Sequence, residues 1–493
     1  MVAVGKNNHA KKVELVISNL NHDICNDELT VELAKLWPNP ILSVEVQRNE
    51  EAKSRGFALV LLDLAADGEA ARIAWHGQTM RDRAVVARYQ RTSFALNKQI
   101  SQAQTWQMVL HIYELQCGDF NYVNISTGIH RLGKLGREET KRDERLLKLL
   151  ALARLSLEVD MEQWGAREIS NVAWGLSKMG VREEADGAFI ANAVATRRWI
   201  KSFNPQDIAN TIWAFASRGS FDAELFEALA KRSLQVVADF SPQGLANTVW
   251  SFAKAGKFDE ALFRAIAAAA CIRIFDFDPQ NLANTAWAYA KADLHVPELF
   301  GAVSDASLAA MARFDPQAFS MLSWAFAHAR VADGELFETV AFSAAPHAFR
   351  FTAQELSTIA WAFATAHVDG DVSPFFISLA KAAQATLHTF KPHELATVAW
   401  AFAAAKVPAQ ALLEDVAREV VAHPQTFKSS ELAKVVWAFS TAAHLDCAGA
   451  VNVASLTVSA AAMFDTVSSA LILHMGELNA RDVCCTAWAY AAS

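Results

Sequence analysis

FSPQGLANTVWSFAKAG, Phe240 to Gly256, decides how this chain folds. FNPQDIANTIWAFASRG stands before it at Phe203, and FDPQNLANTAWAYAKAD after it at Phe277. Further copies begin at Phe314, Phe351, Phe390 and Phe427. The central tryptophans are Trp174, Trp213, Trp250, Trp287, Trp324, Trp361, Trp400, Trp437 and Trp488. Their separations are 39, 37, 37, 37, 37, 39, 37 and 51 residues. A fixed period in the thirties is the signature of stacked helical repeats.

Each unit reads as two helices. A phenylalanine comes first, then a side chain able to cap the first turn (Asn204, Ser241, Asp278, Asp315 or Thr352). Pro205, Pro242, Pro279 and Pro316 follow at the first helical position, where the missing N–H has no partner to lose. Leu245, Val249, Trp250, Phe252 and Ala253 form a wide apolar stripe. Gly219 and Gly256 stand where a helix ends in a left-handed residue. The second helix, for example Ala223 to Val237, carries Leu225, Phe226, Leu229 and Leu234. One pair cannot bury both stripes, so neighbours must stack. On this reading the tryptophans are core packing and the alanines let helices approach.

With the leading Phe counted as one, positions five, eight, twelve and fifteen read as a polar stripe. Position eight is Asn171, Asn210, Asn247 and Asn284, then Met321, Thr358, Thr397 and Lys434; position fifteen includes Lys178, Lys254, Lys291 and His328. A varying stripe on a repeating scaffold suits a modular reader, in which a few side chains per unit contact one base. The same asparagines equally suit a structural role, holding neighbouring units by backbone hydrogen bonds.

Residues 12–90 follow another grammar: a strand at Val13–Asn19, a helix at Asn26–Leu36 capped by Asn26, strands at Ile41–Val46 and Arg55–Leu64, a helix at Ala65–Trp75 and a strand at Ala84–Tyr89. That order is the ferredoxin-like plan. KSRGFALVLL (Lys53–Leu62) resembles the octamer motif of the RNA-recognition motif (RRM), and LVISNL (Leu15–Leu20) its hexamer motif. The resemblance implies a sheet that stacks bases on exposed aromatics. Alternation puts Val16, Arg55, Phe57 and Leu59 on the open face, with Phe57 the one ring in the usual stacking positions. Arg88 and Tyr89 complete the expected RNA contacts.

The expected organisation is a disordered segment at 1–11, an RRM-like domain at 12–90, a linker and lead-in helix at 91–119, and an array of about nine to ten repeats at 120–493. The fold class is thus an α+β, ferredoxin-like domain followed by an all-α superhelical solenoid. FNYVNISTGIHRLGKLG, Phe120 to Gly136, is the first copy, with His130 at the tryptophan position. The last copy, Leu478 to Ser493, stops after one helix, leaving an apolar face uncovered; a continuation beyond Ser493, even a catalytic domain there, is an expectation.

The repeat resembles the octotricopeptide repeat of algal organellar RNA-binding proteins, through its PxxLANxxWAxAK-like cores. Related arrays occur in FAST-kinase-like proteins, often ahead of a RAP domain, which is not visible in this sequence. The resemblance implies binding of single-stranded RNA in organellar RNA processing, stability or translation, and suggests a mitochondrion or chloroplast. MVAVGKNNHAKK reads neither as a secretory signal nor as a good transit peptide.

Composition bounds the remaining classes. Apolar residues make up 53% of the 493, which is not a disordered composition. No apolar run reaches the ~18 residues of a membrane span. The six cysteines are scattered, with no paired metal-ligand spacing, and suit a reducing compartment. No phosphate-binding glycine loop or nucleophile–base constellation stands out, so neither an enzyme, a cofactor, a metal nor a small-molecule substrate is expected. Net charge is −8, and residues 203–493 carry 18 Lys and Arg against 28 Asp and Glu, a balance of −10. An acidic array also suits a scaffold for basic protein segments.

Overall fold

The structure is a computed structural model that describes residues 13–20, 23–37, 41–48, 54–62, 71, 74–80, 83–159, 161–181, 186–331, 333–366, 368, 371–446 and 456–492. The chain divides into two compact units, Met1–Leu229 and Ala230–Ser493.

The first unit begins with a small sheet. Strands Val13–Ser18 (β1), Ile41–Arg48 (β2) and Ser54–Leu62 (β3) are joined by Thr79–Met80 (β4), Arg83–Ala84 (β5) and Val86–Tyr89 (β6). The main sheet is antiparallel, in the order β2-β3-β1-β6; β4 and β5 make a separate hairpin. Alternation decides which face is covered: Leu15, Ile17, Ala58, Val60 and Leu62 turn inward onto Leu29 and Leu33 of the helix Asn26–Leu36 and onto Trp75. The indole of Trp75 donates to the Leu33 carbonyl at 3.2 Å. Asn26 does not cap its helix. Cys25 holds the cap position, and the Asn26 side chain accepts from the Val46 amide at 2.8 Å, tying helix to strand. Of the expected helix at 65–75, only 71, 74 and 75 fall within the described residues. The helix Gln90–Gln102 follows β6 directly and packs on both the sheet and the first repeat helix, so sheet and repeats of this unit are joined by helix. Arg131 adds a clamp there, its guanidinium donating twice to the Ala103 carbonyl at 2.9 and 2.6 Å.

From residue 122 the chain is an array of helix pairs. We call the leading helices A and the following helices B. In the first unit the A-helices are Tyr122–Leu135, Ala166–Met179 and Pro205–Arg218. In the second they are Pro242–Ala255, Pro279–Lys291, Pro316–His328, Ala353–Ala366, Pro392–Ala404, Ser429–Asp446 and Ala480–Ala492. The start signals act as read: the side chains of Asn204, Ser241, Asp278 and Asp315 accept from the third helical amide, with proline at the first position. The stop signal is positional. Position seventeen is left-handed in Gly180, Gly219 and Gly256, and also in Asp293, Arg330 and Lys406, where no glycine is present.

Within each unit A-helices pack closely on A-helices, while B-helices meet more sparsely. Small residues permit this. A Cβ on Gly175 would stand 2.6 Å from the Ile129 carbonyl oxygen of the preceding A-helix. Aromatic rings at position thirteen lock successive repeats: Phe215 meets Phe189, Tyr289 meets Phe263, Phe326 meets Phe300, and Phe402 meets Phe376, with centroids 4.4–5.2 Å apart. These thirteenth-position rings are the buried core.

Candidate functional site

The tryptophans at position eleven are not core. Trp174 through Trp437 are half-buried, and Trp488 is 44% exposed. Their neighbours are each other. In the first unit His130 stands 4.9 Å from Trp174, and Trp174 stands 6.4 Å from Trp213. In the second, Trp250, Trp287, Trp324 and Trp361 follow one another at 6.2, 6.2 and 6.4 Å. Trp400, Trp437 and Trp488 continue at 6.2 and 6.4 Å. The expectation of buried tryptophan fails for a geometric reason: position thirteen fills the space between A- and B-helices, and position eleven, about 200° round the helix, faces away from it.

Positions five and twelve of the expected stripe turn inward. Asp207, 5% exposed, accepts from the Asn204 amide at 3.2 Å and from Ser170 Oγ of the preceding repeat at 3.0 Å. Burial pushes its pKa above the usual carboxylate range, against those hydrogen bonds and Arg167. Glu394 and Glu431 cap their own helices through the Lys391 and Lys428 amides, at 2.7 and 2.8 Å. Position twelve is buried alanine or serine, as in Ala214, Ser251 and Ala288. These residues join helices and present nothing to a ligand.

The open face of the A-helix is therefore positions four, eight, eleven and fifteen, which fall within about 60° of one another. Asn171, Asn210 and Asn247 are half-buried there, and Asn284 is 9% exposed. Among the described residues their side-chain amides make no hydrogen bond to protein, so they do not bind repeat to repeat. Lys178, Lys254 and Lys291 are exposed on the same face. Lys178 Nζ lies 5.7 Å from the Trp213 ring, and Lys254 Nζ 4.6 Å from that of Trp250. Partial burial against the indole pulls the Lys254 pKa below the ordinary lysine value. His328 stacks on Trp324 at 4.4 Å.

Position four was missed. Gln206, Gln243, Gln280, Gln317 and Gln354 are all exposed beside the tryptophan row. The signal was in the sequence, since the same residue recurs there in five successive copies, one place before the assumed stripe. Towards the end of the second unit the face deepens into a groove of about 730 Å³, lined by Trp361, Thr397, Trp400, Lys434, Trp437 and Arg481 among others.

On the sheet, Phe57 and Leu59 are half-buried on the face opposite the core, as alternation requires. The backbones of Val16 and Arg55 lie in β1 and β3, and those of Arg88 and Tyr89 in β6; the side chains of all four fall outside the described residues. In the backbone register of β1 and β6, Val16 pairs with Arg88 and Leu15 with Tyr89. Among the described residues no three His, Cys, Asp or Glu side chains gather as a metal site, and no helix is long and apolar enough to cross a membrane.

Helix pairs that repeat with tryptophans in runs along the A-helices of each unit define a helical-repeat protein. Residues 96–296 match the family model of RNA-editing substrate-binding complex 6 protein, RESC6. A chloroplastic RAP domain-containing protein of Oryza sativa subsp. japonica is 28% identical over 165 residues, 29% of this chain. The chain spans 24% of that relative's length. A structure described as a homology model of the full-length AP-3 complex in an intermediate open conformation overlaps 81% of this chain and 78% of its own, at 11% identity. Its TM-score of 0.29 carries no argument.

Proposed function

We propose that this chain is a non-catalytic RNA-binding protein whose A-helix faces hold single-stranded RNA. The observation that carries the reading is the runs of open indoles, successive rings 6.2–6.4 Å apart in Trp174–Trp213, Trp250–Trp361 and Trp400–Trp488, with the amides of Asn171, Asn210, Asn247 and Asn284 beside the earlier ones and without a protein partner among the described residues. An indole open to solvent is a platform for any base, worth ~1–3 kcal/mol per stacked base. Lysines beside the indoles supply local positive charge for phosphate within an acidic chain. The two names support the reading from outside the geometry: one family belongs to an RNA-editing substrate-binding complex, and the rice protein is chloroplastic. Organellar RNA processing is the setting we propose.

The amino-terminal sheet is, in this proposal, a reduced RRM. Its strand order and the adjacency of the two motif-bearing strands β1 and β3 support that, while Val16 and Leu59 replace two of the usual rings. Its contribution is small beside that of the array. A second reading is favoured by the −10 balance of residues 203–493, under which the faces dock basic protein segments.

The test is a titration of the full chain with fluorescein-labelled 20-nucleotide RNA of random sequence at two salt concentrations, read by anisotropy and by tryptophan quenching. Binding that quenches tryptophan and weakens with salt is expected. Absence of RNA binding at low salt, with binding of a polylysine peptide instead, overturns the reading in favour of the scaffold.

A further inference from the structure

The groove at the end of the second unit has a polar lining unlike that of the earlier repeats. The helix Ser429–Asp446 carries Lys434 and Trp437, and it packs directly on Ala480–Ala492, which carries Arg481 and Asp482. All four residues line the groove, beside Trp400, whose ring stands 6.2 Å from that of Trp437. Lys434 and Arg481 are exposed and make no ion pair among the described residues.

Asp482 departs from the pattern at position five. Asp207, at the same place in its repeat, accepts from the Ser170 hydroxyl of the preceding repeat and from the Asn204 amide. In the last repeat the residue that corresponds to Ser170 is Ala433, which has no hydroxyl. Asp482 is 9% exposed, and its Oδ2 is buried without a hydrogen-bond partner among the described residues. A buried carboxylate oxygen left unpaired is costly, and a ligand that donates to it removes the cost.

We infer that this groove takes a guanine nucleotide of single-stranded RNA, with the base edge on Asp482, the ring on the indoles and the phosphates on Lys434 and Arg481. The inference rests on the RNA-binding reading above and adds a base-selective subsite to it. Single-stranded bases are read on their Watson–Crick edges and stacked on aromatic rings. A carboxylate accepts through two oxygens and donates nothing. Guanine meets both oxygens with N1–H and the 2-amino group, adjacent donors on one edge. Adenine and cytosine place a ring-nitrogen acceptor beside their amino donor, and uracil flanks its one N–H with two carbonyls. Each of these three sets an acceptor against a carboxylate oxygen. An arginine side chain also offers two donors. However, Lys434 and Arg481 against Asp482 give the groove lining a balance of +1, which favours an anionic ligand over a cationic one.

The experiment measures affinity of the full chain for 12-nucleotide RNAs: oligo(U), and oligo(U) with one central nucleotide changed to guanosine, adenosine, cytidine or inosine, which is guanosine without the 2-amino group. The single guanosine is expected to tighten binding about tenfold or more over every other 12-mer, since one bidentate contact discriminates by that much. Asp482→Asn, which turns one acceptor into a donor, should lose the guanosine preference and keep the affinity for oligo(U). It should also melt no earlier than the parent, because the buried oxygen it replaces has no protein partner among the described residues. Binding of the guanosine 12-mer no tighter than that of the adenosine or inosine one, or an unchanged preference in Asp482→Asn, overturns the assignment. A lower thermal midpoint of that variant overturns it as well, and places Asp482 in the scaffold with Asp207. Tighter binding of an arginine-containing peptide than of any RNA overturns it in favour of a basic protein segment. If no 12-mer binds at low salt, the RNA-binding reading itself fails, an outcome distinct from binding without guanosine preference.

Discussion

The ammonium of Lys254 lies 4.6 Å from the centroid of the Trp250 indole, one helical turn along the same A-helix. The charge is held against the ring that faces solvent, and it loses hydration there, which is why its pKa falls. A cation so placed is ready to meet a phosphate whose base lies on the indole. Trp250→Leu should weaken RNA binding by ~1–3 kcal/mol with a small change in melting. Lys254→Met should weaken it less and lower the slope of log affinity against log salt by about 1. Anisotropy titrations at three salt concentrations measure both; an unchanged slope would remove Lys254 from phosphate contact.

Asp207 belongs to the scaffold. It closes a capping box with Asn204 and accepts from Ser170 in the preceding repeat. Asp207→Ala leaves the Asn204 amide and the Ser170 hydroxyl without this acceptor. The expected loss is ~1–3 kcal/mol in urea unfolding, with base preference unaltered. A change in preference at constant stability would return position five to the ligand face.

His130 occupies the tryptophan position of the first repeat. Burial, then the charges of Lys134, Arg131 and Arg167, lower its pKa from 6.5 to about 4. Between these values the unfolded chain binds the proton and the folded chain does not, so stability falls as pH drops from about 6.5 to 4 and is fully present above 6.5. For a half-buried ring, screening reduces the effect to ~1–2 kcal/mol. His130→Phe should lose that much less than the parent between pH 7 and pH 4 in thermal melts; parallel pH curves for the two would refute it.

Arg330 holds a left-handed conformation, φ 54°, where other repeats use Gly219 or Gly256. The strain of a side chain there exceeds the extra chain entropy of glycine. Arg330→Gly should stabilise the chain by up to ~1 kcal/mol, seen as a higher denaturation midpoint. A lower midpoint would show that the Arg330 side chain contributes more than its backbone costs.

What the sequence determined by itself was everything local and periodic. The repeat length, the Asn, Ser or Asp cap before Pro, and the left-handed stop at Gly219 and Gly256 are fixed by residues within one turn of each other. So is the alternation that sets Phe57 and Leu59 against Ala58 and Val60. Asn210 and Asn247 were legible as site candidates because a polar residue recurs where packing does not ask for one. The tertiary structure alone decided which flank of each A-helix the neighbouring repeats cover. Position five looked as polar as position four, yet Asp207 is enclosed because Ser170 approaches from the preceding repeat. Position eleven looked as apolar as position thirteen, yet Trp287 stays half open while Tyr289 is sealed against Phe263. Burial is a property of contacts made across about 37 residues of chain, and a helix's own periodicity holds no record of where its neighbours stand.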